Sequence, residues 1–172
     1  MALLLIAAGL AGAGTAVGEF QLKAAFLFHF PAFVEWPATA LPRDKAPFVI
    51  GVLGQDPFGA TLDDMVRGET VNLHPLTVER YRNAAEIRDC QILFIPAAEL
   101  SHLDATTINT LKGHSVLTVT DADTAAPPGV VIALVKRDNK IRLRIDLQAA
   151  RDSKLTISSK LLRPAEIIGA GS

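Results

Sequence analysis

Apolar positions along this chain fall into two kinds of run. Phe48–Leu53 (FVIGVL) and Gln91–Ile95 (QILFI) are nearly unbroken, as expected for strands covered on both faces of a parallel sheet. Val116–Thr120 is a third such run. Between the first two, Asp56-Pro57 reads as an N-cap followed by proline at the first helical position, which predicts a helix through about Val66. Leu73–Tyr81 predicts a strand that Pro75 interrupts. Between the second and third runs, Ser101-His-Leu-Asp104 fits a capping box. Leu100, Leu103, Thr107, Ile108 and Leu111 then share one helical face, and Lys112-Gly113 supplies the stop. Strand, helix, strand, helix, strand is the order of a parallel sheet.

The pattern changes after residue 129. Val130–Val135 and Ile141–Leu147 flank a charged turn around Asp138-Asn139, which predicts an antiparallel hairpin. In its second strand Ile141, Leu143 and Ile145 alternate with Arg142, Arg144 and Asp146, so one face is buried and the other wet. A short helix near Gln148–Asp152 and the segment Leu155–Arg163 close the domain. The expected fold is α/β: a mostly parallel sheet flanked by helices on both faces, with the hairpin appended near the C-terminus.

Two stretches precede the first strand. Residues 1–18 carry no charged side chain and pass from an apolar run into small residues, the pattern of an exported signal peptide too short to span a bilayer. Residues 19–36 hold much of the aromatic content: five of the ten aromatic side chains lie between Lys23 and Pro37. Core packing against the sheet, or a lipid- or partner-facing aromatic surface, would each account for that density. The sheet's need for apolar helices favours the core. Pro31 is expected to kink this helix, and Glu35-Trp36-Pro37 to end it. The organisation read from the sequence is therefore a leader over 1–18, one domain over 19–163 and a flexible tail over 164–172.

Composition narrows the function classes. With 49% hydrophobic and 20% charged residues and a net charge of −1, the 172-residue chain is globular in type and has no general attraction to nucleic acid. Cys90 is the only cysteine and sits at the start of a buried strand, so a packed thiol is expected. His29, His74, His102 and His114 make no metal-ligand spacing, and His29 within the aromatic helix is expected to be structural. Gly51, Gly54 and Gly59 do not form a dinucleotide fingerprint, and no serine lies in a nucleophile elbow. No catalytic residue, cofactor or metal is expected.

Two features remain as candidate binding surfaces. Asp121 and Asp123 lie in a loop beyond a parallel strand, where open α/β sheets bind ligands; a solvated loop is the other reading. Between Lys136 and Arg163 stand nine basic and three acidic residues, an excess of +6 in a chain of net −1. That segment is either a charged edge that discourages aggregation or a docking face for an acidic partner or anion. Arg142 and Arg144 are the leading candidates.

The text Leu22–Pro37 (LKAAFLFHFPAFVEWP), followed by Phe48–Phe58, Cys90–Ile95, Leu117–Asp121, Ile141–Ala150 and Leu155–Arg163, resembles the YfiR family of periplasmic proteins. The resemblance implies a compact α/β domain without catalytic residues, exported to the periplasm. It implies a brake on the periplasmic sensor region of an inner-membrane diguanylate cyclase, affecting cyclic-di-GMP, biofilm and motility. An outer-membrane-associated protein and a second copy of the chain are further partners it implies. Arg142, Arg144, Asp121 and Asp123 are the partner-binding candidates on this reading. The chain departs from the family in having one thiol, in Ala122 where an aromatic is usual, and in Arg144 where an acidic residue is expected. A periplasmic small-molecule-binding sensory module is the alternative function.

Overall fold

The computed structural model describes residues 6–124 and 128–169. The first five residues of the expected leader, positions 125–127 of the loop after Asp123, and the last three residues of the expected tail lie outside them.

An eight-stranded sheet organises the chain. Its strands are β2 (Phe48–Leu53), β3 (Thr70–Val71), β4 (His74–Tyr81), β5 (Ile92–Ile95), β6 (Leu117–Thr120), β7 (Ile132–Arg137), β8 (Lys140–Asp146) and β10 (Glu166–Ile168). They lie in the order β10-β8-β7-β6-β5-β2-β4-β3. Pairings β4–β2, β2–β5, β5–β6 and β6–β7 are parallel, and β7–β8 is the antiparallel hairpin that the alternating pattern predicts. All six residues of β2 are buried, because successive side chains serve opposite faces. Phe48, Ile50 and Val52 enter a core with Phe94, Leu117, Ile132 and Leu134. Val49 and Leu53 turn the other way, toward Tyr81, Cys90, Leu93 and Ile95.

Helices cover both faces. On the first lie α1 (Ile6–His29), α2 (Ala60–Val66), α4 (Leu147–Asp152) and α5 (Ser159–Leu162), contributing Ala24, Leu27, Leu62, Ala149 and Leu161 among others. On the second lies α3 (Ala105–Gly113), through Leu111. The aromatic helix is thus a core element: Ala24, Leu27 and Phe30 are at most 1% exposed, and Phe26, Phe28, Phe33 and Trp36 pack around them. Among the described residues no helix is long and apolar enough to cross a membrane.

Several boundaries differ from expectation. The helix does not kink at Pro31 and run on to Trp36; it stops at His29. Pro31 cannot donate to the Leu27 carbonyl, so the chain tightens into a 3-10 turn over Phe30–Ala32. It then enters β1 (Val34–Glu35), which pairs antiparallel with β9 (Thr156–Ile157) in a separate small sheet. His29 is exposed rather than packed. Asp56 does not cap α2. Its Oδ1 accepts from the Phe58 N–H at 2.7 Å in a local turn, and Gly59, at φ +53°, redirects the chain before the helix begins at Ala60. Ser101 lies in a 3-10 segment, and Asp104 is the true cap of α3, accepting from Thr107 N–H at 2.7 Å. Finally, residues 166–168, expected in a flexible tail, form β10 beside β8.

Candidate functional site

The loop after β6 carries Asp121 and Asp123, which the structure sends to different partners. Asp121 Oδ1 accepts from the Ala97 N–H at 2.9 Å, joining two neighbouring strand ends. Its Oδ2 lies 3.3 Å from Lys23 Nζ. Lys23, on α1, is only 3% exposed. A buried ammonium is tolerated only when paired, and here Glu19 Oε1 approaches it at 2.7 Å. The Phe20 ring lies beneath, 4.9 Å from Nζ to centroid. Glu19 also accepts from Lys136 Nζ of β7 at 2.8 Å. Hydrogen bonds from Lys136 and then Lys23 hold the Glu19 carboxyl below its ordinary pKa, against the opposing effect of burial. Asp121 is therefore part of an ionic tie between α1 and the carboxyl edge of the sheet. Asp123 stands outside it, exposed and ion-paired with Arg137. The two aspartates do not converge on one cleft.

The hairpin gives its two candidate arginines unequal surroundings. Register places Arg142 opposite Val135 and Arg144 opposite Ala133, so both arginines share one face of the sheet. Arg142 is exposed and has no ion pair among the described residues. Arg144 is hemmed in by β10, with its side chain 15% exposed and its Nε 3.4 Å from Glu166 Oε2. A shallow recess of about 240 Å3 opens here, lined by Arg137, Arg142, Arg144, Val135, Ala165 and Glu166. The hairpin turn, with Asp138 at φ 49° and Asn139 at φ 58°, is the left-handed two-residue type that Asp and Asn accept most readily.

Sequence reasoning misses Glu166 and Lys23. Glu166 falls in the expected tail, where the β-branched pair Ile167-Ile168 is the signal for a strand. Lys23 is one charge within an apolar stretch, and its burial depends on two carboxylates supplied from Glu19 and from the distant Asp121. A third unforeseen arrangement fixes α2. Arg80 of β4 donates to Asp56 at 2.7 Å and, through two nitrogens, to Asp63 at 3.1 and 2.6 Å. Those bonds hold the Asp63 carboxyl below its usual range.

Cys90 is packed as expected, 4% exposed, and burial pushes its thiol up to about 12. Its neighbour Tyr81 donates to Glu79 at 2.9 Å. Tyr81 also lies so close over Gly51 that a Cβ there would stand 2.6 Å from its ring, which explains a glycine in the middle of β2. Of the histidines, His74 contacts the Ala46 carbonyl at 2.9 Å and His102 lies 3.3 Å from Glu99. Among the described residues no group of three or more His, Cys, Asp or Glu side chains is placed to hold a metal ion.

No curated protein sequence matches the chain significantly. Two solved structures align with part of it. An ABC domain from Streptococcus pneumonia, crystallised in complex with L-Trp, aligns with a TM-score of 0.50 at 11% identity, over 70% of this chain and 55% of that one. A conserved domain protein from Vibrio cholerae aligns with a TM-score of 0.47 at 12% identity, over 75% of this chain and 56% of that one. The chain thus spans little more than half the length of these structures, and at 11% identity the likeness to the first concerns the fold alone. The family model described as YfiR/HmsC-like matches residues 20–166, from the buried aromatic helix to the first residue of β10. With the match covering most of the chain, from α1 to the start of β10, the chain belongs to the YfiR/HmsC-like family.

Proposed function

We propose that this chain is a non-enzymatic periplasmic signalling regulator. It binds the periplasmic sensor region of an inner-membrane diguanylate cyclase, holds the enzyme inactive, and so lowers cyclic-di-GMP. The observation that carries this reading is the YfiR/HmsC-like match over residues 20–166. A brake of this kind works by binding the inactive state of its partner better than the active one. Shifting a balanced equilibrium 100-fold requires roughly 2.7 kcal/mol of differential affinity. A few anchors on one face can supply that. Arg142 is the best-placed anchor, because it is exposed and carries no internal ion pair among the described residues.

The test is capture of the cyclase's purified periplasmic region by the wild-type chain and by Arg142→Glu, with cyclic-di-GMP measured in a strain lacking the chain. The expected results are capture by wild type, weaker capture by the variant at an unchanged melting temperature, and raised cyclic-di-GMP in the deletion strain. Arg144 is a poorer choice for reversal, since a carboxylate there would face Glu166. Unaltered capture by Arg142→Glu moves the docking face elsewhere. Unaltered cyclic-di-GMP defeats the reading itself.

The alternative, a small-molecule module built on Asp121 and Asp123, receives less support. Asp121 is occupied by Lys23 and the Ala97 N–H, and Asp123 by Arg137.

A further inference from the structure

The recess lined by β7, β8 and residues 164–166 has a charge balance that its one lining carboxylate, Glu166, leaves incomplete. Three arginines line it, Arg137, Arg142 and Arg144. The hairpin register places them on one face of the sheet. Arg142 faces Val135 across the ladder and Arg144 faces Ala133, while Arg137 lies two residues beyond Val135 on the same side. Two carboxylates answer them. Asp123 is taken by Arg137. Glu166 reaches Arg144 through a single contact of 3.4 Å, and its own side chain is 64% exposed while that of Arg144 is 15% exposed. The more deeply set guanidinium therefore has the looser, wetter partner, and Arg142 beside it has no ion pair among the described residues.

A partly buried guanidinium loses hydration and needs compensating acceptors. Its planar fork of N–H groups matches the paired oxygens of a carboxylate or phosphate. Apolar Val135, Pro164 and Ala165 also line the recess, so the attraction between an anion and the arginines is less screened there than on an open surface, which offsets the hydration the anion gives up. The volume of about 240 Å3 lies below that of sites for drug-sized ligands and suits a small anion.

We propose that this recess is a binding site for a small oxyanion, a phosphate or a short carboxylate, gripped by Arg142 and Arg144 in competition with Glu166. The competition gives the site a consequence. Glu166 opposite Arg144 is the first rung of the β8–β10 ladder, so an anion that takes over Arg144 frees the carboxylate at the start of the edge strand. The inference concerns the isolated chain and stands apart from the cyclase reading.

Isothermal titration of the purified full chain with inorganic phosphate and, separately, with succinate tests it and tells the two chemistries apart. Saturable binding of at least one is expected. Arg142→Glu should weaken it roughly tenfold or more, as the loss of a charge-assisted contact does. Glu166→Gln should tighten it, because the competing carboxylate is gone. Lys45→Glu, an exposed charge change elsewhere, should leave it unaltered. A generally attractive basic surface would not respond to Glu166→Gln with a gain in affinity, and an equal loss in Lys45→Glu would mark such a surface. Absence of saturation across the millimolar range for both anions overturns the proposal, as does binding that survives Arg142→Glu. Failure here with cyclase capture intact would refute the anion site alone.

Discussion

Replacing Leu73 with glycine should make the protein more stable, although it deletes a large side chain. Asn72 and Leu73 form the two-residue loop between β3 and β4, closed by the Val71–His74 pair. Their φ angles are 49° and 70°, so both residues are left-handed. Asn tolerates that region, whereas a Leu there sets its Cβ against the backbone at a cost of about 1–2 kcal/mol. Nothing in the packing offsets this, because Leu73 is 92% exposed. Glycine relieves the strain but gives the unfolded chain more freedom, worth about 0.5–1 kcal/mol the other way. The net gain is therefore about 0–1.5 kcal/mol, centred on about 0.75, or roughly 2–3 °C in melting temperature at that centre for a chain of this size. Thermal unfolding followed by circular dichroism measures it. Leu73→Ala is the control: it removes the same exposed surface but keeps a Cβ, and should not stabilise. A melting temperature that falls in Leu73→Gly, or rises equally in both variants, would refute the strain argument.

Two further predictions concern ionisable groups. Lys136 and Lys23 depress the Glu19 pKa in the folded state, so its stabilising contribution is complete above its unfolded value of 4.5 and is lost as pH falls through the lower folded value. Glu19→Gln should therefore lower stability at neutral pH and flatten the acid limb of urea-unfolding midpoints against pH, and an unchanged acid limb would remove Glu19 from the ionic tie. With its thiol pushed up to about 12, native Cys90 should resist a thiol-labelling reagent at pH 8 and react fully in denaturant; rapid labelling of the native chain would contradict its burial.

The strands that could be read from the sequence are those whose identity depends on their own residues. β2, β5 and β6 are central, hence apolar throughout, and a continuous run announces them wherever the neighbours lie. The hairpin β7–β8 declares itself by alternation and by residues suited to a left-handed turn. What escaped depends on distant chain. β1 and β9 are two residues each and exist only because Val34 meets Ile157 and Glu35 meets Thr156. β10 is short and follows Pro164, features of a chain end, yet Arg144, Ile145 and Asp146 supply a strand edge for it. Pro31 was legible as a break but not as a complete stop, because the outcome turned on a β9 waiting beyond it. Of the four candidate site residues, Asp121 changes most in meaning: a position that suggested a ligand is the partner of the buried Lys23 ammonium.

The same dependence alters what the basic segment can do. Counted along the sequence, residues 136–163 carry an excess of +6, which suggests a broad electropositive face. Folded, much of that charge is answered locally. Glu19 reaches Lys136 from the N-terminal helix, Asp123 takes Arg137 from the loop after β6, and Glu166 reaches Arg144 from the C-terminal strand. Each of these carboxylates lies outside the counted segment, so a sum over the segment cannot include them. Of the hairpin's five basic side chains, Lys140 at the turn and Arg142 on the strand keep no ion pair among the described residues. Fields from exposed charges fade beyond roughly 8–10 Å at physiological ionic strength, so an acidic partner approaching the hairpin meets these two rather than the whole surplus. By pairing with Lys136, Arg137 and Arg144, carboxylates from three other parts of the chain leave the hairpin's unpaired charge on Lys140 and Arg142.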